Sequence, residues 1–240
     1  MKKVSLWVIL FSFPVLLISC SIPDEITEET EVITKLNEVL LKNSELIPQN
    51  NANEYDSIGI LQNHLLDIYL SANHNHTSIE EVNDEIQSLI FVGTGLFNSI
   101  PTHLVVDQII DIMNSPESSL NTIISNSHLT NEAKSNLTDF IDSLLLLQDE
   151  EYEDIYQFII FYESSVIENR LLNNEDKRVI LITSSIARHS IYYERNQNDK
   201  DWEVSVGNIT AAVYGALEDS LTAINFSLVT GISLNIPFEY

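Results

Sequence analysis

Apolar residues recur every three or four positions through most of this chain, which is the period of a helix with one buried face. Ile33, Leu36 and Leu40 predict a first helix that closes before Pro48. Ile58, Leu61, Leu65, Ile68 and Ala72 keep to one face and predict a second. Ser78-Ile79-Glu80-Glu81 reads as a capping box, with Ile79, Val82, Ile86 and Leu89 following at helical spacing. Gly93-Thr94-Gly95 breaks or kinks that helix, and Pro101 opens the next, carried by Val106, Ile109 and Met113. Ser115-Pro116-Glu117 has the form of an N-cap followed by proline at the first helical position.

Two further stripes are Leu137, Phe140, Ile141, Leu144 and Ile155, Phe158, Ile159, Tyr162, Val166, the second with Glu153, Gln157 and Glu168 facing water. Asn174 is expected to cap a helix bearing Val179, Ile182 and Ile186. After a polar loop from Asn196 to Asp201 comes one last helix with Ile209, Val213, Leu217, Ile224 and Leu228, stopped by Gly231. The alternation Ile232-Ser233-Leu234-Asn235-Ile236 predicts a short extended C-terminal tail.

Punctuation supports the helical reading. No proline lies between Pro116 and Pro237, and no glycine between Gly95 and Gly207. A sheet protein needs turn residues far more often than that. The expected fold class is therefore all-α: a single domain of about seven to nine helices. No internal repeat argues for a solenoid.

The N-terminus has a different character. Lys2 and Lys3 precede an apolar run from Val4 to Ile18 that is short for a membrane span and has the form of an export signal. The run ends Leu17-Ile18-Ser19-Cys20. An aliphatic residue at −3, a small one at −1 and then cysteine resemble the lipobox of bacterial lipoproteins with type II signal peptides. Cys20 is the only cysteine among 240 residues, so no intrachain disulfide explains its position.

The resemblance implies that residues 1–19 are a signal peptide and that Cys20 is the lipid-attachment site. The thiol would carry diacylglycerol and the new amino group an acyl chain such as palmitate. Residues 20–31 would then be an acidic tether and the start of the first helix, and 32–240 the helical domain. The partner so implied is the membrane itself, held through the Cys20 lipid.

Ser21 after the cysteine resembles outer-membrane rather than inner-membrane lipoproteins. Asp24, Glu25, Glu28, Glu29 and Glu31 resemble the surface-export signal of Bacteroidota lipoproteins. Carboxylates also suit the positive end of a helix dipole, so the acidic stretch has a plain structural reading as well. Periplasmic face and cell surface both stay open.

Charge narrows the partners. With 36 acidic residues against 11 basic ones the net charge is −25, and removing Lys2 and Lys3 makes the chain more acidic still. Such a protein is repelled by nucleic acid and by anionic lipid headgroups. The partner is expected to be an envelope or extracellular protein or a small ligand, cationic, neutral or metal-bearing. No cofactor is expected.

Candidate chemistry is thin. The segment Asn53-Glu54-Tyr55-Asp56-Ser57-Ile58-Gly59-Ile60-Leu61-Gln62-Asn63-His64-Leu65-Leu66-Asp67 resembles a segment near the start of uncharacterised Bacteroidota lipoproteins, with Gln62 where histidine would be expected. Its physical reading is a helix start capped by Asp56, where Gly59 lets another helix approach and Asn63 hydrogen-bonds into the contact. Tyr55, Asp56, Gly59 and Asn63 are accordingly candidates for an interaction or packing motif.

Gly207, Ala211 and Gly215, with Ala212 and Ala216, are small residues at close-packing spacing. From Ser220 to Phe238 there is no charge. That region reads as a buried central helix or, alternatively, as a membrane-inserting hairpin. His74-Asn75-His76 lacks a second ligand pair for zinc. Asn196, Asn198, Asp199, Asp201 and Glu203 hold oxygens but no EF-hand glycine. His189 falls on an apolar face and reads as a hydrogen-bonded core histidine.

Asp107/Asp111 and Asp139/Asp142 are pairs that any acidic helix surface produces. No nucleophile elbow, phosphate loop or H-E-x-x-H is present. The sequence thus points to a non-enzymatic binding or interaction module anchored at the bacterial outer membrane. The alternative is a secreted, toxin-like or membrane-active protein using its uncharged C-terminal helix.

Overall fold

The computed structural model describes residues 49–72, 74–96, 102–147, 149–196 and 202–235, without the side chains of 102–105, 195–196 and 202–205. The lipobox and the predicted helix around Leu36 lie outside the described residues. Nine helices are described: α1 (Asp56–Ser71), α2 (Ile79–Thr94), α3 (Thr102–Asn114), α4 (Pro116–Asn126), α5 (Asn131–Leu146), α6 (Tyr152–Glu168), α7 (Asn174–Asn196), α8 (Trp202–Ala216) and α9 (Ser220–Asn235). The described residues form no strand, so the fold is all-α.

The core is organised around α9, which packs against α8, α2, α1, α3 and α7. Every residue from Ser220 to Ser233 is buried. A helix surrounded in this way has no solvent face, and its sequence carries no charge. Some of its polar side chains find partners, while the Ser227, Thr230 and Ser233 hydroxyls have none among the described residues. Asn225 donates from Nδ2 to Asn83 Oδ1 of α2 at 2.9 Å, and Thr222 donates its hydroxyl to Asp219 Oδ2. α7 is the second inner helix, buried on all sides from Arg178 to Ile191. Around these two, α1, α2, α4, α5 and α6 each show the outer world a polar side.

Several boundaries differ from the expected ones for identifiable reasons. The last helix is two helices. Asp219 accepts from the Thr222 backbone N–H at 2.8 Å and so caps a new start. α8 and α9 fold back on each other so tightly that a Cβ on Gly215 would lie 2.5 Å from the Thr222 carbonyl oxygen. Gly231 does not stop α9; it lies inside the helix, beneath the Asn208 side chain. Residues Ile232 to Asn235 are helical rather than extended, and the rest of the predicted tail lies outside the described residues.

On α1 the buried stripe runs Ile58, Leu61, Leu65, Tyr69, while Ile68 is 38% exposed and Ala72 is exposed. Spacings of three, four and four track the helical period, and Ile68 rotates off the face.

Three caps are shifted or altered. Ser78 accepts from the Glu81 N–H at 3.3 Å, but the Glu81 carboxylate reaches one residue further back, to the Thr77 N–H. Asn173, not Asn174, caps α7: its Oδ1 accepts from the Asp176 N–H, and Asp176 Oδ2 accepts from the Asn173 N–H. Ser115 precedes α4 without a side-chain cap, leaving Pro116 to start the helix. Gly95, at φ 72°, closes α2 in the left-handed conformation that glycine adopts without strain.

Candidate functional site

α1 and α7 meet along two polar stripes. On α1 these are Asp56, Gly59, Gln62 and Asn63; on α7 they are Ser184, Ser185, Arg188, His189 and Ser190. Gly59 N–H donates to Ser185 Oγ at 3.2 Å, and Ser185 donates its own proton to the Asp56 carbonyl at 3.2 Å. Asn63 Nδ2 donates to the His189 carbonyl at 2.9 Å. Partners rise together along both helices, so α1 and α7 run in the same direction. Gly59 is what lets them come this close: a Cβ there would sit 2.5 Å from His189 Cδ2 and 2.6 Å from the Ser185 carbonyl oxygen.

At the start of this contact lies a cluster of charged groups. Arg188 Nη2 donates to Asp56 Oδ1 at 2.6 Å and contacts Glu163 Oε1 of α6 at 3.3 Å. His189 Nε2 lies 3.1 Å from Asp56 Oδ1 and 3.3 Å from Arg188 Nη1. One ring nitrogen cannot serve both; the shorter contact, to a carboxylate, fixes it as an N–H donating to Asp56. Arg188 and Glu163 have no solvent exposure, His189 has 1% and Asp56 has 6%.

The turn at 49–55 closes the cluster from outside. Asn50 Nδ2 donates to Glu163 Oε2 at 2.5 Å, and Asn53 Nδ2 to Glu163 Oε1 at 2.9 Å. The Asn50 N–H donates to Asp56 Oδ2 at 3.0 Å. Ser184 donates to Glu163 Oε1 at 2.9 Å. All four carboxylate oxygens are thereby partnered, as buried charges require.

Protonation follows from this geometry. Burial raises the Asp56 carboxyl, but the His189 hydrogen bond and the Arg188 charge outweigh it and hold the group below its ordinary range. Burial lowers His189, and the neighbouring guanidinium adds to that against the pull of Asp56, so the imidazole is neutral. Burial also opposes the Arg188 charge, yet Glu163 and Asp56 together raise its pKa above the ordinary value.

An Asp–His pair beside three serines has some of the ingredients of acid–base catalysis, but the arrangement works as a clamp. Ser185 Oγ is occupied by backbone groups of α1, and Ser190 Oγ lies 3.4 Å from Gln62 Oε1. No nucleophile–base contact faces solvent. The candidate residues therefore divide. Asp56, Gly59 and Asn63 converge on α7, whereas Tyr55 is half-buried and its N–H donates to Asn53 Oδ1. Contrary to the expectation from sequence, Asp56 does not cap its helix; its carboxylate turns inward to Arg188 and His189.

His189 is a buried, hydrogen-bonded core histidine. Glu163 and Arg188 were missed, although Glu163 stands on the apolar stripe of α6 between Ile159 and Val166, where a charge is itself a signal.

Elsewhere, His74 and His76 stack on Tyr69, with ring centroids 4.0 and 5.7 Å away. His76 Nδ1 lies 2.8 Å from the Tyr69 hydroxyl, whose pKa burial pushes up to about 12. Among the described residues no three His, Cys, Asp or Glu side chains converge as metal ligands. Of the polar loop considered for calcium and read as solvated, residues 198, 199 and 201 and the side chains of Asn196 and Glu203 lie outside the described residues, as does Cys20. Among the described residues no helix is long and apolar enough to cross a membrane. Compared with protein-family models, curated proteins and solved structures, the chain matches none.

Proposed function

We propose that this chain is a lipoprotein precursor whose mature form is anchored through Cys20 in the bacterial outer membrane and presents its helical domain as a non-enzymatic interaction module. The observation that carries the reading is the sequence Leu17-Ile18-Ser19-Cys20 behind a basic, then apolar, N-terminus, with no other cysteine in the chain. Two or three acyl chains hold a protein at a bilayer essentially permanently, since each buried methylene contributes about 0.8 kcal/mol. The helical domain supports the second half of the proposal. Its most reactive-looking side chains, Asp56, His189, Arg188 and Glu163, are consumed in holding α1, α6 and α7 together. What the domain offers a partner is its acidic exterior.

Metabolic labelling with an alkyne-tagged fatty acid tests the anchor. The wild-type protein takes up label and fractionates with the outer membrane; Cys20→Ser does neither. Label on Cys20→Ser would defeat the proposal. Protease shaving of intact cells, with a pull-down from the same cells, then separates surface from periplasmic display and identifies the partner.

The membrane-active alternative is opposed by the polar side chains within α9 and by its length. Sixteen residues span about 24 Å, less than the roughly 30 Å of a hydrocarbon core. Leakage of dye-loaded vesicles by the purified protein would revive it.

A further inference from the structure

The Asp56–Arg188–His189–Glu163 cluster is buried beneath a cover of a particular kind. Helices close it on the inner sides, but outward it lies under the seven residues 49–55, which are held mainly by hydrogen bonds, with Tyr55 packed against the apolar core. Asn51, Ala52 and Glu54 are exposed, and Tyr55 is only half-buried. The cover is fastened by Asn50 and Asn53 to Glu163, by the Asn50 N–H to Asp56, by Asn53 Nδ2 to the Leu181 carbonyl at 3.0 Å, and by the Tyr156 hydroxyl to the Gln49 carbonyl at 3.0 Å. Three of these five fastenings end on the very carboxylates that balance Arg188.

We infer that this segment is an acid-released strap: at neutral pH Asp56 and Glu163 hold residues 49–55 and the first turn of α1 closed over α7, and acidification frees them before the rest of the domain yields. The inference goes beyond the lipoprotein reading and does not depend on it.

The charges that face His189 are few. Asp56 comes from α1, Glu163 from α6 and Arg188 from its own helix; α9 and the described side chains of α8 carry none. A proton on His189 puts a second buried cation 3.3 Å from the guanidinium. Both cations then need water, and burial resists this, as the lowered pKa of His189 records. A proton on Asp56 cancels the charge that holds Arg188 and His189 at Oδ1 and the Asn50 N–H at Oδ2. Either event is relieved by admitting water, and the strap, with Asn51, Ala52 and Glu54 already exposed, is the cover on the outward side. In the first turn of α1 only Ile58 is held by apolar packing, whereas the inner half has Leu61, Leu65 and Tyr69 all locked into the core.

Hydrogen–deuterium exchange on the full 240-residue chain in detergent tests this, with labelling times scaled for the intrinsic pH dependence of exchange. The reporting amides are those of Ala52, Asn53, Tyr55, Asp56, Ile58 and Gly59, each hydrogen-bonded at neutral pH. Their protection is expected to fall about tenfold or more between pH 7 and pH 5 while that of α9 changes less than about twofold. His189→Gln, which keeps a donor but cannot titrate, is expected to flatten that response. Asn50→Ala with Asn53→Ala is expected to remove the protection already at pH 7. The inference is overturned if the strap stays protected at pH 5, if it opens only together with α9, or if His189→Gln leaves the response unchanged. Should His189→Gln fail to fold, the order of opening in the wild-type chain decides.

Discussion

Gly59 and His189 define the closest approach of the two helices that carry the charged cluster, with only 2.5 Å between a notional Gly59 Cβ and His189 Cδ2. The Ser185 carbonyl, a backbone atom that cannot step aside, is 2.6 Å from the same point. Every polar contact along α1 and α7, from Asp56–Arg188 to Asn63–His189, depends on that spacing.

Gly59→Ala is accordingly expected to destabilise the domain by about 1–3 kcal/mol, the usual cost of overpacking, despite alanine being the better helix former. Gly93→Ala is the matched control. There the nearest atom to an added Cβ is Leu65 Cδ2 at 3.9 Å, so the helix gains about 0.5–1 kcal/mol. Urea denaturation of both variants checks the opposite signs.

Replacing Arg188 by Met leaves Asp56 and Glu163 facing each other's charge in a buried space. A loss of about 3–5 kcal/mol is expected, because the surviving partners are stranded. Arg188→Met with Asp56→Asn and Glu163→Gln together is expected to recover part of this. Thermal unfolding of the single and triple variants reads the difference, and a single variant as stable as wild type would contradict the clamp.

Stability is expected to decline as pH falls. His189 is neutral in the fold with its pKa below the ordinary 6.5, so the unfolded chain takes up the proton first. Stability is therefore full above that value and drops as pH goes below it, until the folded pKa is reached. Asp56 adds a second loss at lower pH. Its folded pKa lies below the ordinary 3.8, and its contribution disappears as pH passes down through the folded value. Urea midpoints at a series of pH values check this, with His189→Gln expected to remove the upper step and keep the lower.

Asp176, 1% exposed, ties two helix starts together. Its Oδ1 accepts from the Thr130 N–H at 3.0 Å, and its Oδ2 from the Thr130 hydroxyl at 2.8 Å and the Asn173 N–H at 3.2 Å. Thr130 in turn caps α5 by accepting from the Ala133 N–H. Asp176→Ala is expected to cost more than the roughly 1 kcal/mol of a single lost cap, and distinctly more than Ser78→Ala. Parallel chemical denaturation of the two variants checks the ranking.

Much of the fold was legible in the chain because helix formation on a surface is a local matter. Leu137, Phe140, Ile141 and Leu144 are all buried on α5, as their spacing requires. The inner helices were harder. Val179, Ile182 and Ile186 announce one buried face of α7, yet Thr183, Ser184 and Ser185 are equally buried, and nothing local says which polar residues another helix will cover. α8 and α9 read as one helix because no proline separates them and the short polar run Glu218-Asp219-Ser220 does not by itself break a helix; Asp219, an ordinary acidic residue by sequence, makes the break by capping.

The candidate motif shows the same division. Gly59 and Asn63 stood out since glycine and asparagine within a helix are costly unless something is packed against them. What they pack against is 126 residues away, so only the fold reveals it.

By itself, then, the sequence determined the helical class, the outward-facing sides of the surface helices and the N-terminal pattern that predicts lipid attachment, since all of these rest on residue spacing within a few turns. The tertiary structure alone decided that α1 and α7 run side by side and that Glu163 and Arg188 belong to one cluster with Asp56 and His189, and it placed the uncharged α9, which the sequence read as a buried central helix or a membrane-inserting hairpin, at the centre of the domain. Those relations join residues far apart in the chain, where burial and charge pairing act through space and leave little local trace.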